Sequence, residues 1–381
     1  MIDIYLDYAS STYVDPRVRK EMDKYFSEEF GNPSSFHSAG LRAKEALDKA
    51  RQKVAKILNC KTSEIIFTGS GTESINLAIQ GIAKANKNKK HIITSNIEHH
   101  AVLRTCNYLE KEEGYEVTYL RTDKYGLINL KDIESSIKSN TLLVSIMYAN
   151  NDIGTIQNIS EIGNICNSKN VYFHTDACQA AGYLDLDVNK LNVDLMSLNG
   201  SKIYAPKGVG VLYKKQSVPI KPIIYGGGQE FSLRSGTENI PGIVGFAKAL
   251  ELSYQERESE TKRLIPLRDY LIKNILQRIR GSFLNGHPTQ RLPNNVNISI
   301  PGMEGEALIL MLNENKICAS TGSACTSKSI EPSHVVQAIG VPFDTAKSSL
   351  RFTLGRKTEK KDIDQLIDVL SKIVNNLINS K

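Results

Sequence analysis

Apolar positions recur along most of the chain in two alternating rhythms. The segment EALDKARQKVAKIL (45–58) spaces its apolar residues three and four apart, which predicts an amphipathic helix. EIIFTG (64–69) is a short apolar run closed by turn residues, the pattern of a buried strand. SINLAIQGIAKA (74–85) returns to helical spacing, and HIITSNIEHHAVL (91–103) reads as a strand followed by a helix start. Further strands are expected in TLLVSIMYANNDIGTIQ (141–157), VYFHTDACQAAG (171–182), VDLMSLNGSKIYAPKGVGVLY (193–213) and IKPIIYGGGQE (220–230). This alternation predicts an α/β domain with a mainly parallel sheet and helices on both faces. Such sheets place ligands at the carboxyl ends of their strands.

After about residue 255 the rhythm changes. A charged helix (254–279) leads to a strand (294–301), a helix (304–315), a short strand KICAST, a helix (333–340), a strand LRFTLG (350–355) and an amphipathic last helix (358–378). The expected division is a large α/β domain over 15–255. A smaller α+β domain would combine 1–14 with 256–381 and carry a cysteine loop at about 319–332.

Composition narrows the function classes. The formal charge is +7, from 48 basic and 41 acidic residues, and it is diffuse. The densest run, 84–90, contains no aromatic residue and reads as a solvated helix end, so no direct nucleic-acid partner is expected. No apolar run approaches the roughly 18 residues of a membrane helix, and the first residues carry acids where a signal peptide carries bases. A soluble cytoplasmic protein is expected, with no membrane partner. The six cysteines form no CxxC pair and no zinc-ligand spacing, which predicts free thiols and no metal site.

One of them, Cys325, lies in TGSACTSKS among small and polar residues, where a thiol has nothing apolar to pack against. Candidate chemistry elsewhere clusters at predicted strand ends. FTGSGTESINLAI (67–79) passes from strand through a glycine turn into a helix, with Ser70 and Glu73 at capping-box spacing. It suits either a phosphate or simply a well-capped helix. Asp176, closing the strand in YFHTDACQ, suits a metal, a histidine or a ring nitrogen, or a plain turn, and Gln179 is within reach of the same ligand. Lys202 in LNGSKIY ends another strand and suits a Schiff base, with Lys207 as the local rival. His99 or His100 could stack on a planar ligand. Asn151 follows a buried strand, and Arg351 opens a strand where it could clamp a carboxylate. Together these are the parts that bind pyridoxal phosphate: an anion cradle, a pyridinium partner, a lysine, a stacking ring and a substrate clamp.

At this point GSGTESINLAI, EHHAVL, NNDIGTIQ, HTDACQ, GSKIYAPKGVG, RSGTENI and GSACTS, in that order, resemble the cysteine desulfurases of the NifS/IscS group. Those are fold-type I, aspartate-aminotransferase-like pyridoxal-phosphate enzymes, and the resemblance covers nearly the whole chain. It implies that Lys202 holds the cofactor, Asp176 pairs with the ring nitrogen and Gln179 with the ring hydroxyl. It further implies that His99 stacks on the ring, and that Gly71, Thr72, Asn199 and Ser201 surround the phosphate. Thr237 would reach the cofactor of a partner subunit in a homodimer. Asn151 and Arg351 would bind the carboxylate of L-cysteine, and Cys325 would take its sulfur as a persulfide and release alanine.

A protein sulfur acceptor, such as an iron–sulfur scaffold or a sulfur relay protein, would follow. Two departures stand out: Ser201 where the family usually has histidine, and Asn199 where it often has serine. The short tail after the last helix leans towards a NifS-like member. A selenocysteine lyase or another enzyme of the fold is the alternative activity. A catalytically silent homologue is the non-enzymatic one.

Overall fold

The computed structural model describes residues 4–322 and 331–379, so Cys325 lies outside the described residues. Twelve strands are assigned among them: β1 (Ile4–Tyr5), β2 (Ile65–Thr68), β3 (His91–Ser95), β4 (Glu116–Leu120), β5 (Thr141–Ser145), β6 (Tyr172–Asp176), β7 (Leu195–Asn199), β8 (Gly210–Lys214), β9 (Phe283–Leu284), β10 (Asn295–Ser299), β11 (Ile317–Cys318) and β12 (Ser349–Thr353). Seven form one sheet in the order β2-β8-β7-β6-β5-β3-β4. From β7 through β4 all neighbours are parallel, and β8 runs antiparallel to both β7 and β2. The mainly parallel α/β sheet expected from the alternation is therefore present.

Most of its strands are buried on both faces because successive side chains feed two different cores. Val144, Met196 and Leu198 point into a core shared with helix α1 (Ser38–Leu58). Leu143 and Leu195 point into a second core shared with α2 (Gly71–Ala85) and α3 (His100–Glu113). This explains why the strands read as continuous apolar runs.

A third core gathers Leu6, Leu271, Ile298, Phe352 and Leu366 around the antiparallel sheet β12-β10-β9. The pair β1–β11 is parallel, joining Ile4 to Ile317, so the chain start packs with the C-terminal elements. A long helix, α4 (Ile240–Arg278), runs unbroken from the first core to the third. The charge pattern located only its second half. Its first half buries Ile243, Phe246, Ala247 and Leu250 and shows no polar stripe to mark it. The last helix is α6 (Lys360–Asn379), preceded by the short α5 (His334–Ala338).

The strand expected in 220–230 is absent. Gly226, Gly227 and Gly228 lead instead into three consecutive residues in the left-handed region, Glu230, Phe231 and Ser232, at φ 47°, 58° and 62°. This conformation is unfavourable for side chains bearing a Cβ. It places the buried Glu230 carboxylate against Arg51, with Nη2 at 2.6 Å from Oε1, and under the Phe67 N–H at 2.7 Å. A buried, doubly bonded ion pair outweighs the local β pattern.

Candidate active site

The carboxyl ends of β2, β3, β5, β6 and β7 converge on a cavity of about 410 Å³. Its walls include Gly71, Thr72, His99, Asn151, Asp176, Gln179, Asn199, Lys202, Gly322 and Arg351. Nine of the expected site residues thus meet in one place. Lys207 is exposed and does not line the cavity, which separates it from Lys202.

Each wall residue is placed by its local fold. Gly71 and Thr72 open α2, where the first N–H groups of a helix have no intrahelical partner and attract anions. Ser70 caps this helix by accepting from the Glu73 N–H at 3.2 Å. The capping box is shifted by one residue: the Glu73 carboxylate accepts from Gly69 N–H at 2.9 Å and from Arg234 Nε at 2.8 Å. Gly71 must lack a Cβ, which would lie 2.7 Å from Cys178 Sγ and 3.0 Å from Asn199 Cβ. Asp176 ends β6, and its Oδ1 accepts from Cys178 N–H at 2.9 Å. His99 both caps α3 and faces the cavity. Its Nδ1 accepts from Ala101 N–H at 3.1 Å, so the neutral ring carries its proton on Nε2.

Lys202 Nζ donates to the carbonyls of Ala9 at 2.8 Å and Ser10 at 2.6 Å, and Gln179 Nε2 also donates to Ala9 at 2.9 Å. Arg351, whose side chain is 4% exposed, is held by Asp7 Oδ1 at 2.9 Å, Ser10 Oγ at 2.8 Å and the Asn151 carbonyl at 3.2 Å. Its buried Nε has no partner among the described residues. The segment Asp7–Ser10 is thus part of the site, although its sequence carries no signal of that role. Its contribution comes partly from backbone carbonyls, which no residue type advertises.

Two expected residues lie off the cavity wall. Ser201 is buried behind it, with its carbonyl accepting from Thr12 N–H at 2.9 Å and from Thr12 Oγ1 at 3.0 Å. Thr237 is exposed and away from the cavity of its own chain. Cys325 lies outside the described residues, but Gly322, three residues before it, lines the cavity.

Four other cysteines, Cys60, Cys106, Cys166 and Cys178, are poor nucleophiles. Burial pushes the Cys60, Cys106 and Cys166 thiols up to about 12, and pushes Cys178 well above the ordinary thiol value. Thiolates are the reactive form, so these side chains are inert near neutral pH.

Beneath the site, His174 bridges Ser145 Oγ at 2.8 Å and Ser197 Oγ at 3.0 Å, and burial lowers its pKa to about 4. Glu98, beside His99, is fully buried. Its Oε1 accepts from Ser95 Oγ at 2.7 Å and Met147 N–H at 3.0 Å, yet burial outweighs both and raises its pKa from 4.5 to about 8. The folded chain therefore holds a proton here that the unfolded chain has lost, and stability falls as pH rises from 4.5 towards 8. His100 and His174, with pKa values lowered to about 4, give the opposite slope only below their ordinary 6.5. Between pH 6.5 and 8 the Glu98 slope, up to about 1.4 kcal/mol per pH unit, is expected to stand out. Urea unfolding at several pH values should show a decline that Glu98→Gln flattens.

The class-V aminotransferase profile matches residues 4–366. A protein of Clostridium botulinum named cysteine desulfurase IscS is 51% identical over 374 residues, covering 97% of this chain and 94% of that one. A protein of the same name from Methanosarcina thermophila is 51% identical over 377 residues, covering 99% and 93%. The chain belongs to the cysteine desulfurases of the class-V aminotransferase family. A solved structure titled NifS-like protein superposes with a TM-score of 0.93 at 37% identity, covering 98% of this chain and 100% of that one. The NifS-like protein of Rickettsia africae gives a TM-score of 0.87 at 30% identity, covering 98% and 99%.

Class-V aminotransferases use pyridoxal phosphate, and the donor set fits that group. One cavity holds an amine at Lys202, a carboxylate at Asp176, an imidazole at His99 and the N-terminus of α2. It also holds a buried guanidinium at Arg351 with hydrogen-bonding capacity to spare.

Proposed function

We propose that the chain transfers the sulfur of L-cysteine to Cys325 and releases L-alanine. The observation that carries this reading is the shared cavity. Lys202, Asp176, His99 and Arg351 line it together with Gly322, the described residue that leads into the segment bearing Cys325.

Pyridoxal phosphate, when bound, supplies an electron sink that loosens the bond between the β-carbon and sulfur of the substrate. Lys202 would hold it through Nζ, and the same amine would move the proton of the substrate α-carbon. Asp176 would keep a proton on the ring nitrogen. Thr72 and the first N–H groups of α2 would bind the phosphate. His99 would pack against the ring, and Gln179 would reach the ring hydroxyl. Arg351 and Asn151 orient the substrate carboxylate. Asn199 and Ser201 stand near the phosphate in the family pattern, Asn199 on the cavity wall and Ser201 behind it. In the transfer the Cys325 sulfur bonds to the substrate sulfur as the carbon–sulfur bond breaks. One thiol and one cysteine become one persulfide and one alanine, with atoms and protons in balance.

The working unit is proposed to be a homodimer, in which Thr237 reaches the cofactor phosphate of the partner. Its exposure outside its own cavity supports this, as do Phe36 at 96% and Tyr225 at 73% exposure, since aromatic side chains so placed suit cover by a second copy. The acceptor is proposed to be a protein, either an iron–sulfur scaffold or a sulfur relay protein, in the cytoplasm. No helix among the described residues is long and apolar enough to cross a membrane. Incubation with L-cysteine should yield alanine and protein-bound sulfur in equal amounts. Alanine from selenocysteine alone would favour a selenocysteine lyase, and a colourless protein that takes up no cofactor would favour a silent homologue.

A further inference from the structure

Asp152 immediately follows Asn151 and is buried in the fold. Its carboxylate is engaged from three sides. Oδ1 accepts from Asn297 Nδ2 of β10 at 2.8 Å. Oδ2 accepts a short hydrogen bond from Ser333 Oγ. Gly322 packs so closely that a Cβ there would lie 2.1 Å from Oδ1 and 2.6 Å from Oδ2. Gly322 also stands at φ +81°, so two separate constraints demand glycine.

The backbone of Asp152 is equally fixed. Its N–H donates to Asn150 Oδ1 at 2.8 Å, and its carbonyl accepts from Asn295 Nδ2 at 3.1 Å and Asn297 Nδ2 at 3.3 Å. Gly322 and Ser333 stand on the two sides of residues 323–330, which carry Cys325. Ser333 also caps α5 by accepting from Val336 N–H at 3.3 Å, so its hydroxyl links that helix to the carboxylate.

We propose that Asp152 is a positioning residue for sulfur transfer. Its carboxylate bonds Ser333 and packs against Gly322, so residues 322 and 333, on either side of the Cys325 segment, are both set against the turn that presents Asn151. This rests on the reading of Cys325 as sulfur acceptor. Packing alone does not call for a carboxylate, because burial disfavours its charged form and pushes this carboxyl above its ordinary value. A buried acid bonded to Ser333 and packed against Gly322 instead fixes where those two residues stand relative to Asn151. Misplacing a reacting group by about 1 Å can cost on the order of 100-fold in rate.

The test uses the holoenzyme with Asp152→Ala, Ser333→Ala, Gly322→Ala and the Asp152→Ala/Gly322→Ala pair. Cofactor absorbance and its response to added L-cysteine report on the binding site. Mass gain of one sulfur at Cys325 in a single turnover reports on transfer. Asp152→Ala and Ser333→Ala should keep the cofactor and bind cysteine within about threefold of wild type. Their transfer should slow about tenfold or more. The pair should lose less than the product of its single losses, because removing the carboxylate relieves the Gly322→Ala clash.

Unchanged transfer in Asp152→Ala and Ser333→Ala overturns the proposal. So does transfer that falls only in step with cofactor content, since that is a packing effect. Should Asp152→Ala fail to fold, Ser333→Ala removes one tie and leaves the acid in place, and it is read in the same way. A Cys325→Ser enzyme releasing sulfide at the wild-type rate would overturn the underlying reading instead, without any change at Asp152, so the two failures are distinguishable.

Discussion

Replacing Lys202 by alanine is expected to lower cysteine turnover by a factor of about 10³ or more and to remove the visible absorbance of the covalently held cofactor. The expectation follows from position. Lys202 Nζ reaches the cavity from the end of β7 and is held by two carbonyls of the chain start. Its rival Lys207 is exposed and away from the cavity. In the proposed function Lys202 both holds the cofactor and carries the α-proton, so one substitution is expected to remove two functions. Added amines should restore part of the proton transfer but not the absorbance of the native enzyme. A Lys202→Ala protein with an unchanged spectrum would move the attachment to another lysine.

Replacing Cys325 by serine should act on a different step. The spectrum of the bound cofactor and its change on adding cysteine should persist, because neither depends on the acceptor thiol. Sulfur transfer should fall by about 10³ or more, because a hydroxyl neither accepts sulfur as a persulfide nor ionises near neutral pH. None of Cys60, Cys106, Cys166 and Cys178 is poised to substitute. Burial holds Cys60, Cys106, Cys166 and Cys178 in the neutral form. Cys178 is the sharpest case, since it lines the cofactor cavity and is nevertheless suppressed. The two variants therefore separate binding of the cofactor from acceptance of the sulfur.

The sequence made the sheet legible because its strands are buried on both faces. Leu142, Leu143 and Val144 leave little ambiguity about β5, and the turn chemistry after β2 marks the start of α2. The same logic located Asp176 and Lys202, since a charged residue closing an apolar run has few reasons to be there. It failed where the deciding force was remote. Nothing in YGGGQE announces that Glu230 will adopt a left-handed backbone to meet Arg51, which lies 179 residues away in sequence. The first half of α4 lacked a clear polar face because most of its residues are buried.

At the site, the side chains named by pattern were those with distinctive chemistry. The carbonyls of Ala9 and Ser10, the Asp7 partner of Arg351 and the Asp152 contacts with Gly322 and Ser333 went unseen. Their roles come from what the fold sets beside them.

Sulfur is proposed to leave cysteine and arrive on Cys325. The most direct measurement incubates the holoenzyme with sulfur-labelled L-cysteine, traps persulfides by alkylation and maps the label by peptide mass spectrometry. In a single turnover without added thiol, one added sulfur is expected on the peptide containing Cys325, in an amount equal to the alanine released. Label on Cys178 or another cysteine, or alanine accumulating with no sulfur on the protein, would contradict it.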